Sequence, residues 1–139
     1  MENIKREVLD MSNKNIAKLN VTRGENLTEL YIQNNMMTEL DISENKMIEI
    51  LDCTGNPLKC INALAPDGYC KFPLRIEAGK GGYVGLKLSS NVQEYHATAE
   101  EGYEFEGWYN EIGDRLSRDA IWSDQHGASR IIVAAFREK

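Results

Sequence analysis

Apolar residues return at a fixed interval through the first half of the chain. An offset of 21 residues superposes Leu9, Leu30 and Leu51, then Met11, Ile32 and Cys53, then Ile16, Met37 and Leu58, then Leu19, Leu40 and Ile61, and Val21 meets Ile42. A polar column of Lys14, Asn35 and Asn56 runs with them. The fullest copy is LTELYIQNNMMTELDISEN, residues 27–45, of the form L-x-x-L-x-I-x-x-N-x-M-x-x-L-x-I-x-x-N, and LDCTGNPL at 51–58 begins the next. In L-x-I the two apolar side chains point to one side of an extended strand and the residue between them to the other. An asparagine three residues on can turn its amide onto backbone groups where the chain leaves the strand. One such coil cannot bury its own apolar face, but stacked coils can, each strand pairing in parallel with the next. The pattern predicts parallel strands centred on 9–11, 30–32 and 51–53, with the six apolar side chains at their ends facing inward.

The period is lost after about residue 70, beyond the loop at Pro66, Asp67 and Gly68. Short alternating stretches follow at 74–78, 82–88, 94–100, 104–109 and 130–136, separated by clusters of Gly, Asn, Asp and Ser. They predict a small, mostly antiparallel sheet. Composition divides at the same place. Of the eleven aromatic residues only Tyr31 and Tyr69 precede the cut, and all five methionines lie at or before position 47. Two units of similar size are expected, residues 1–70 and 71–139.

The repeat phrase at 27–45 resembles the leucine-rich repeat family, of the kind found in internalin-like bacterial surface proteins. The first copy, with Lys14 in the asparagine column, is degenerate or a cap. The phrase GNPLKCINALAPDGYC, residues 55–70, is similar to the start of a leucine-rich-repeat C-terminal cap, although such caps generally carry four cysteines. That likeness implies a disulfide between Cys60 and Cys70 in an oxidising compartment, with Cys53, in the inward column, left as a buried thiol. In the second half AEEGYEFEGWYNEIGDRLSRDAIW, residues 99–122, resembles the bacterial surface repeat known as the Listeria-Bacteroides or divergent internalin B repeat. The matching positions are Gly102, Tyr103, Phe105, Gly107, Trp108, Tyr109, Gly113 and Asp114, with Gly81 and Gly82 at its opening and 133–136 at its close; the stretch 123–130 departs from the family's alternating strand. Together the resemblances imply a mainly β protein, a short leucine-rich-repeat solenoid with parallel strands joined to a small, mostly antiparallel β domain. They also imply an extracellular or bacterial cell-surface location. The N-terminus, MENIKREVLD, lacks the apolar core of a secretory signal, so a fragment of a longer surface protein is expected, a cytosolic chain being the alternative.

Charge narrows the partners. Sixteen Lys and Arg against 22 Asp and Glu give a net charge of −6, so no basic field exists to gather nucleic-acid phosphates. The longest apolar run, residues 131–136, is far short of the ~20 residues a membrane helix needs, and no membrane insertion is expected.

The chain offers little chemistry. His96 and His126 are its only histidines, neither in H-E-x-x-H, and no C-x-x-C occurs. AGKGG at 78–82 lacks the Ser or Thr and the first glycine spacing of a phosphate loop. No catalytic residue, cofactor or metal ligand is assigned. Phe105 and Trp108 are expected to fill the core of a small domain and Tyr109 to reach the surface. The residues between the inward positions of the repeats project together, as Asp10, Tyr31 and Asp52 beside Ser12, Gln33 and Thr54. In the leucine-rich family this concave face recognises proteins, which makes it the expected binding site with Tyr31 as anchor; a merely solvated face is the other reading. Two carboxylates in separate coils fall short of the six or more oxygens Ca²⁺ prefers. Protein binding or adhesion is the expected function, with a structural spacer in a larger surface protein as the alternative.

Overall fold

The computed structural model describes residues 7–21, 26–45, 47–62, 75–89, 92–124 and 131–139. The fold is mainly β, with no helix among the described residues. Twelve strands follow in order: β1 (Val8–Asp10), β2 (Glu29–Tyr31), β3 (Glu39–Asp41), β4 (Ile50–Asp52), β5 (Cys60–Asn62), β6 (Arg75–Ala78), β7 (Gly82–Ser89), β8 (Val92–Ala99), β9 (Tyr103–Asn110), β10 (Arg115–Ser117), β11 (Ile121–Asp124) and β12 (Ile131–Glu138).

The 21-residue recurrence is the register of the parallel strands. Leu9 lies opposite Leu30 and Leu30 opposite Leu51 in β1, β2 and β4, and Leu40 lies opposite Ile61 in β3 and β5. The strands begin one residue earlier than the apolar pattern predicts, and backbone bonds carry the alignment past their ends, from the Met11 and Asn13 amides to the Tyr31 and Gln33 carbonyls. Leu30, Ile32, Leu51 and Cys53 are fully buried, whereas Leu9 on the outermost strand and Met11 just beyond it are only partly covered.

Side-chain amides take the place of backbone partners in the turns. Asn35 donates from Nδ2 to the Met11 and Ile32 carbonyls at 2.8 and 3.0 Å, and its Oδ1 accepts from the Lys14 and Ile16 amides at 3.0 and 2.9 Å. Asn56 repeats the arrangement one copy later, donating to Ile32 and Cys53 and accepting from Met37. Asn45 reaches back 24 residues to the Val21 carbonyl at 2.7 Å. Each buried bond contributes about 1 kcal/mol net, and leaving such groups unpaired costs more. Immediately before the amide column the backbone takes a left-handed conformation at Asn13, Asn34 and Gly55, with φ of 57°, 59° and 75°. Asparagine and glycine are the residues that tolerate it. A Cβ on Gly55 would sit 3.2 Å from the Asn34 amide nitrogen, so here only glycine fits without movement.

The second half does not form a separate sheet. One six-stranded mixed sheet runs β1-β2-β4-β7-β8-β11 and a second runs β10-β9-β12-β6-β5-β3, so both cross residue 70. Leu51 of β4 pairs antiparallel with Leu88 of β7, and Ile61 of β5 with Ile76 of β6. The reason is the open edge of a parallel stack, whose backbone groups need partners. The Cys53 amide donates to Leu86, that of Val84 to Leu58 and that of Ala78 to Lys59, at 3.1, 2.9 and 2.9 Å. Within the second half the described strands pair mostly antiparallel, as the alternation predicts, while β6 and β12 pair in parallel.

One core lies between the sheets, and it contains Leu30, Leu51, Ile61, Leu86, Tyr95, Trp108 and Ile132 without a break at the junction. Trp108 and Tyr95 meet across it with ring centroids 5.8 Å apart, and the Trp108 indole donates to the Asp119 carbonyl at 2.9 Å. Phe105, expected in the core, is half-buried between Trp108 and Phe136, at 5.6 and 5.7 Å. Tyr109 is half-exposed. Gly82 has no room for a Cβ because the Phe136 ring occupies that space.

Candidate functional site

The register that buries the leucines lays their neighbours in rows on the opposite face of the first sheet. Asp10 faces Tyr31, Tyr31 faces Asp52, and the row continues through Lys87 of β7 to Glu94 of β8. Adjacent members stand on strands ~4.8 Å apart. Ser12, Gln33 and Thr54 lie two residues further along, and Gly85 and His96 extend that second row. All six residues singled out from the repeats are thus brought onto one face, exposed or half-exposed.

Local bonds fix the orientation of the acids. Ser12 donates from its amide and hydroxyl to Asp10 Oδ1, at 3.0 and 2.7 Å, and Thr54 does the same to Asp52, at 3.1 and 2.6 Å. These bonds hold the Asp10 carboxyl below its ordinary value, since each favours the charged form. The Tyr31 hydroxyl donates to Glu29 Oε1 at 2.7 Å, which limits the motion of the ring. Asp41 and Ser43 repeat the Asp–Ser device on the second sheet, at 2.9 and 2.6 Å, so it is a feature of these turns as well as of the face.

Reasoning from the repeats alone missed Glu29, Lys87, Glu94 and His96. His96 and Glu94 are 2.6 Å apart, Nε2 to Oε1, on the same face. Only the alternation in GYVGLKL and EYHATAE hinted at their facing, and nothing in it said which sheet they would join.

On the outer face of the second sheet a cleft of about 450 Å³ is lined by residues that include Lys18, Glu39, Asp41, Cys60 and Arg75. Burial pushes the Cys60 thiol up, and the nearby Arg75 opposes it. Its suggested partner Cys70 lies outside the described residues, as does His126. Cys53 is fully buried, its thiol donating to the Leu86 carbonyl at 3.3 Å, and burial pushes it up to about 12. Among the described residues no three His, Cys, Asp or Glu side chains gather as metal ligands, and no helix is long and apolar enough to cross a membrane.

No family model matches the chain, and no solved structure matches it.

Proposed function

We propose that this chain is a non-catalytic protein-binding or adhesion module of a secreted or cell-surface bacterial protein. Its first half is read as a short leucine-rich solenoid and its second as a divergent internalin-type surface repeat. The observation that carries the reading is the row Asp10, Tyr31 and Asp52, a half-exposed aromatic ring between two acids whose side chains are already oriented by Ser12 and Thr54. Pre-oriented groups lose little entropy on binding, and tyrosine supplies contact area with few torsions to freeze. The family likeness is supported by the asparagine bonds, which recur at the interval of the repeat. In this reading the chain works without cofactor or metal.

A spacer that holds another domain off the cell wall is the second reading. The observation that favours it is the strand pairing across the junction in both sheets, which makes a stiff connection. Three strands of three residues each also make a small face against the ~800 Å² per partner of a standard interface. The test is retention of the protein on surfaces coated with fibronectin, fibrinogen, laminin or collagen, wild type against Tyr31→Ala. A binding module is retained on at least one coat and loses about tenfold or more in affinity on substitution. A spacer is retained on none.

A further inference from the structure

The 21-residue register holds on both sides of one stretch of the first copy and lapses within it. Before the stretch, the Ile16 carbonyl accepts from the Met36 amide at 2.8 Å and the Ile16 amide donates to Asn35 Oδ1. After it, Asn45 reaches the buried Val21 by the same 24-residue step that takes Asn35 to Met11 and Asn56 to Ile32. Between these anchors the column Leu19, Leu40 and Ile61 calls for three strands, but only Leu40 and Ile61 lie in strands, β3 and β5. Residues 17–20 form none, and they share the lining of the 450 Å³ cleft with residues 38–41. The turn ahead of them differs as well. Asn15 is left-handed, with φ of 56°, whereas Met36 and Pro57 in the same column are not. β3 is in consequence the last strand of its sheet. Alternate residues of a strand turn their backbone groups to opposite neighbours, and the Ile42 amide, donating to the Asn62 carbonyl at 2.8 Å, puts Glu39 and Asp41 on the open side. Among the described residues no backbone bond joins Leu19 or Val21 to either of them.

We infer that residues 17–20 are a strap that closes on β3, pairing in parallel with Leu19 opposite Leu40 and shutting the cleft. Closure does not depend on what the protein binds. The length fits, because the stretch from Ile16 to Val21 matches that from Met37 to Ile42 residue for residue and is held at both ends. Leu19 already packs on the core, so its side chain keeps its place when the backbone moves. The free amide and carbonyl groups of Glu39 and Asp41 gain the partners that an edge strand lacks. Closure also sets Lys18 opposite Glu39. Both are exposed, neither has an ion pair among the described residues, and unlike charges facing one another on neighbouring strands attract. Asn15 is the hinge, since a change of φ at one residue redirects the chain that follows. In the third copy Pro57, with its φ fixed near ~−65°, leads into the paired strand β5. Open, the strap leaves the edge of β3 to any strand that could add there; closed, it protects that edge.

The test is amide hydrogen exchange of the whole chain, read residue by residue by NMR and expressed relative to unstructured peptide. The Glu39 and Asp41 amides, bonded only in the closed form, are expected to exchange at least about tenfold more slowly than peptide and faster than Ile42, whose bond to Asn62 is present in both forms. Lys18→Glu sets like charges opposite one another and should speed the Asp41 amide severalfold while leaving Ile42 unchanged. Lys18→Glu combined with Glu39→Lys should restore the wild-type rate. Asn15→Pro forbids the left-handed turn and should slow both amides toward the Ile42 rate, a gain that no loss of folding can produce. The proposal is overturned if Glu39 and Asp41 exchange as fast as peptide, for then the strap does not close. It is overturned also if they are as protected as Ile42 in the wild type, which would make residues 17–20 a permanent strand. Equal exchange in Lys18→Glu and in the charge-swapped pair, or faster exchange in Asn15→Pro, overturns it as well.

Discussion

The two halves of this protein solve the same problem with different materials. Before residue 63 the described strands are three residues long, and much of the turn bonding is done by buried asparagine amides. After residue 74 four of the strands are eight residues long, and their backbones satisfy one another along extended antiparallel ladders. The fillers differ too, aliphatic on one side, with Leu30, Ile32, Leu40 and Leu51, and aromatic on the other, with Tyr95, Trp108, Phe105 and Phe136. A short strand has few ladder bonds, so the turns must carry the order. A long strand can leave turns to its sequence neighbours and spend its side chains on packing. Yet the halves share both sheets and one core, which couples their stabilities.

That coupling can be broken or confirmed. The largest effect is expected from Trp108→Ala, which removes the biggest fully buried side chain and should cost roughly 3 to 5 kcal/mol. Because the core is continuous, urea unfolding should remain one transition with a lower midpoint. A second transition, retaining the first half after the second has melted, would refute the coupling.

Asn56→Ala tests the amide bonding specifically. It leaves the Met37 amide and the Ile32 and Cys53 carbonyls with fewer partners, and roughly 2 to 4 kcal/mol is expected. An equal polar-to-Ala change at the exposed Thr98, in a long strand, should cost under about 0.5 kcal/mol, measured in the same urea titrations.

Alkaline unfolding isolates Cys53. Its folded value of about 12 lies above the ordinary 9.0, so the contribution is complete below pH 9 and is lost as pH rises from there toward 12. Across that window the wild type should lose about 1.4 kcal/mol per pH unit more than Cys53→Ala. Matching slopes in chemical denaturation at several pH values would show that the thiol ionises freely.

Gly55→Ala forces a Cβ into a left-handed turn and toward Asn34, at a cost of about 1 to 2 kcal/mol, whereas Asn34→Gly should stay within about 0.5 kcal/mol. The smallest effect concerns the junction. Lys59 of the first half donates to the Gly82 carbonyl at 2.5 Å, lies 3.5 Å from Glu100 and stands 4.7 Å over the Tyr83 ring. These groups are partly solvated, which weakens the ion pair, and Lys59→Met should lower stability by about 0.5 to 1 kcal/mol in thermal unfolding.

The spacing of Leu9, Leu30 and Leu51 was enough to predict parallel strands and their register, because a side-chain period of two leaves only one register that buries the whole column. The same spacing made Asp10, Tyr31 and Asp52 legible as one row, since residues between inward positions must point outward together. The alternation of the second half marked its long strands for the same reason. It did not reveal β10, β11 or the parallel pairing of β6 with β12, because short strands carry little pattern and alternation is blind to strand direction. Sequence did not say which strands of the two halves would meet. Lys87 joins the row of Tyr31, and Trp108 closes on Tyr95, only because the open edges of β4 and β5 found β7 and β6. Local pattern determines which face of a strand is buried. Which strand becomes its neighbour is decided by the unpaired edges and apolar surface left over when every element is in place, and only the tertiary structure holds that information.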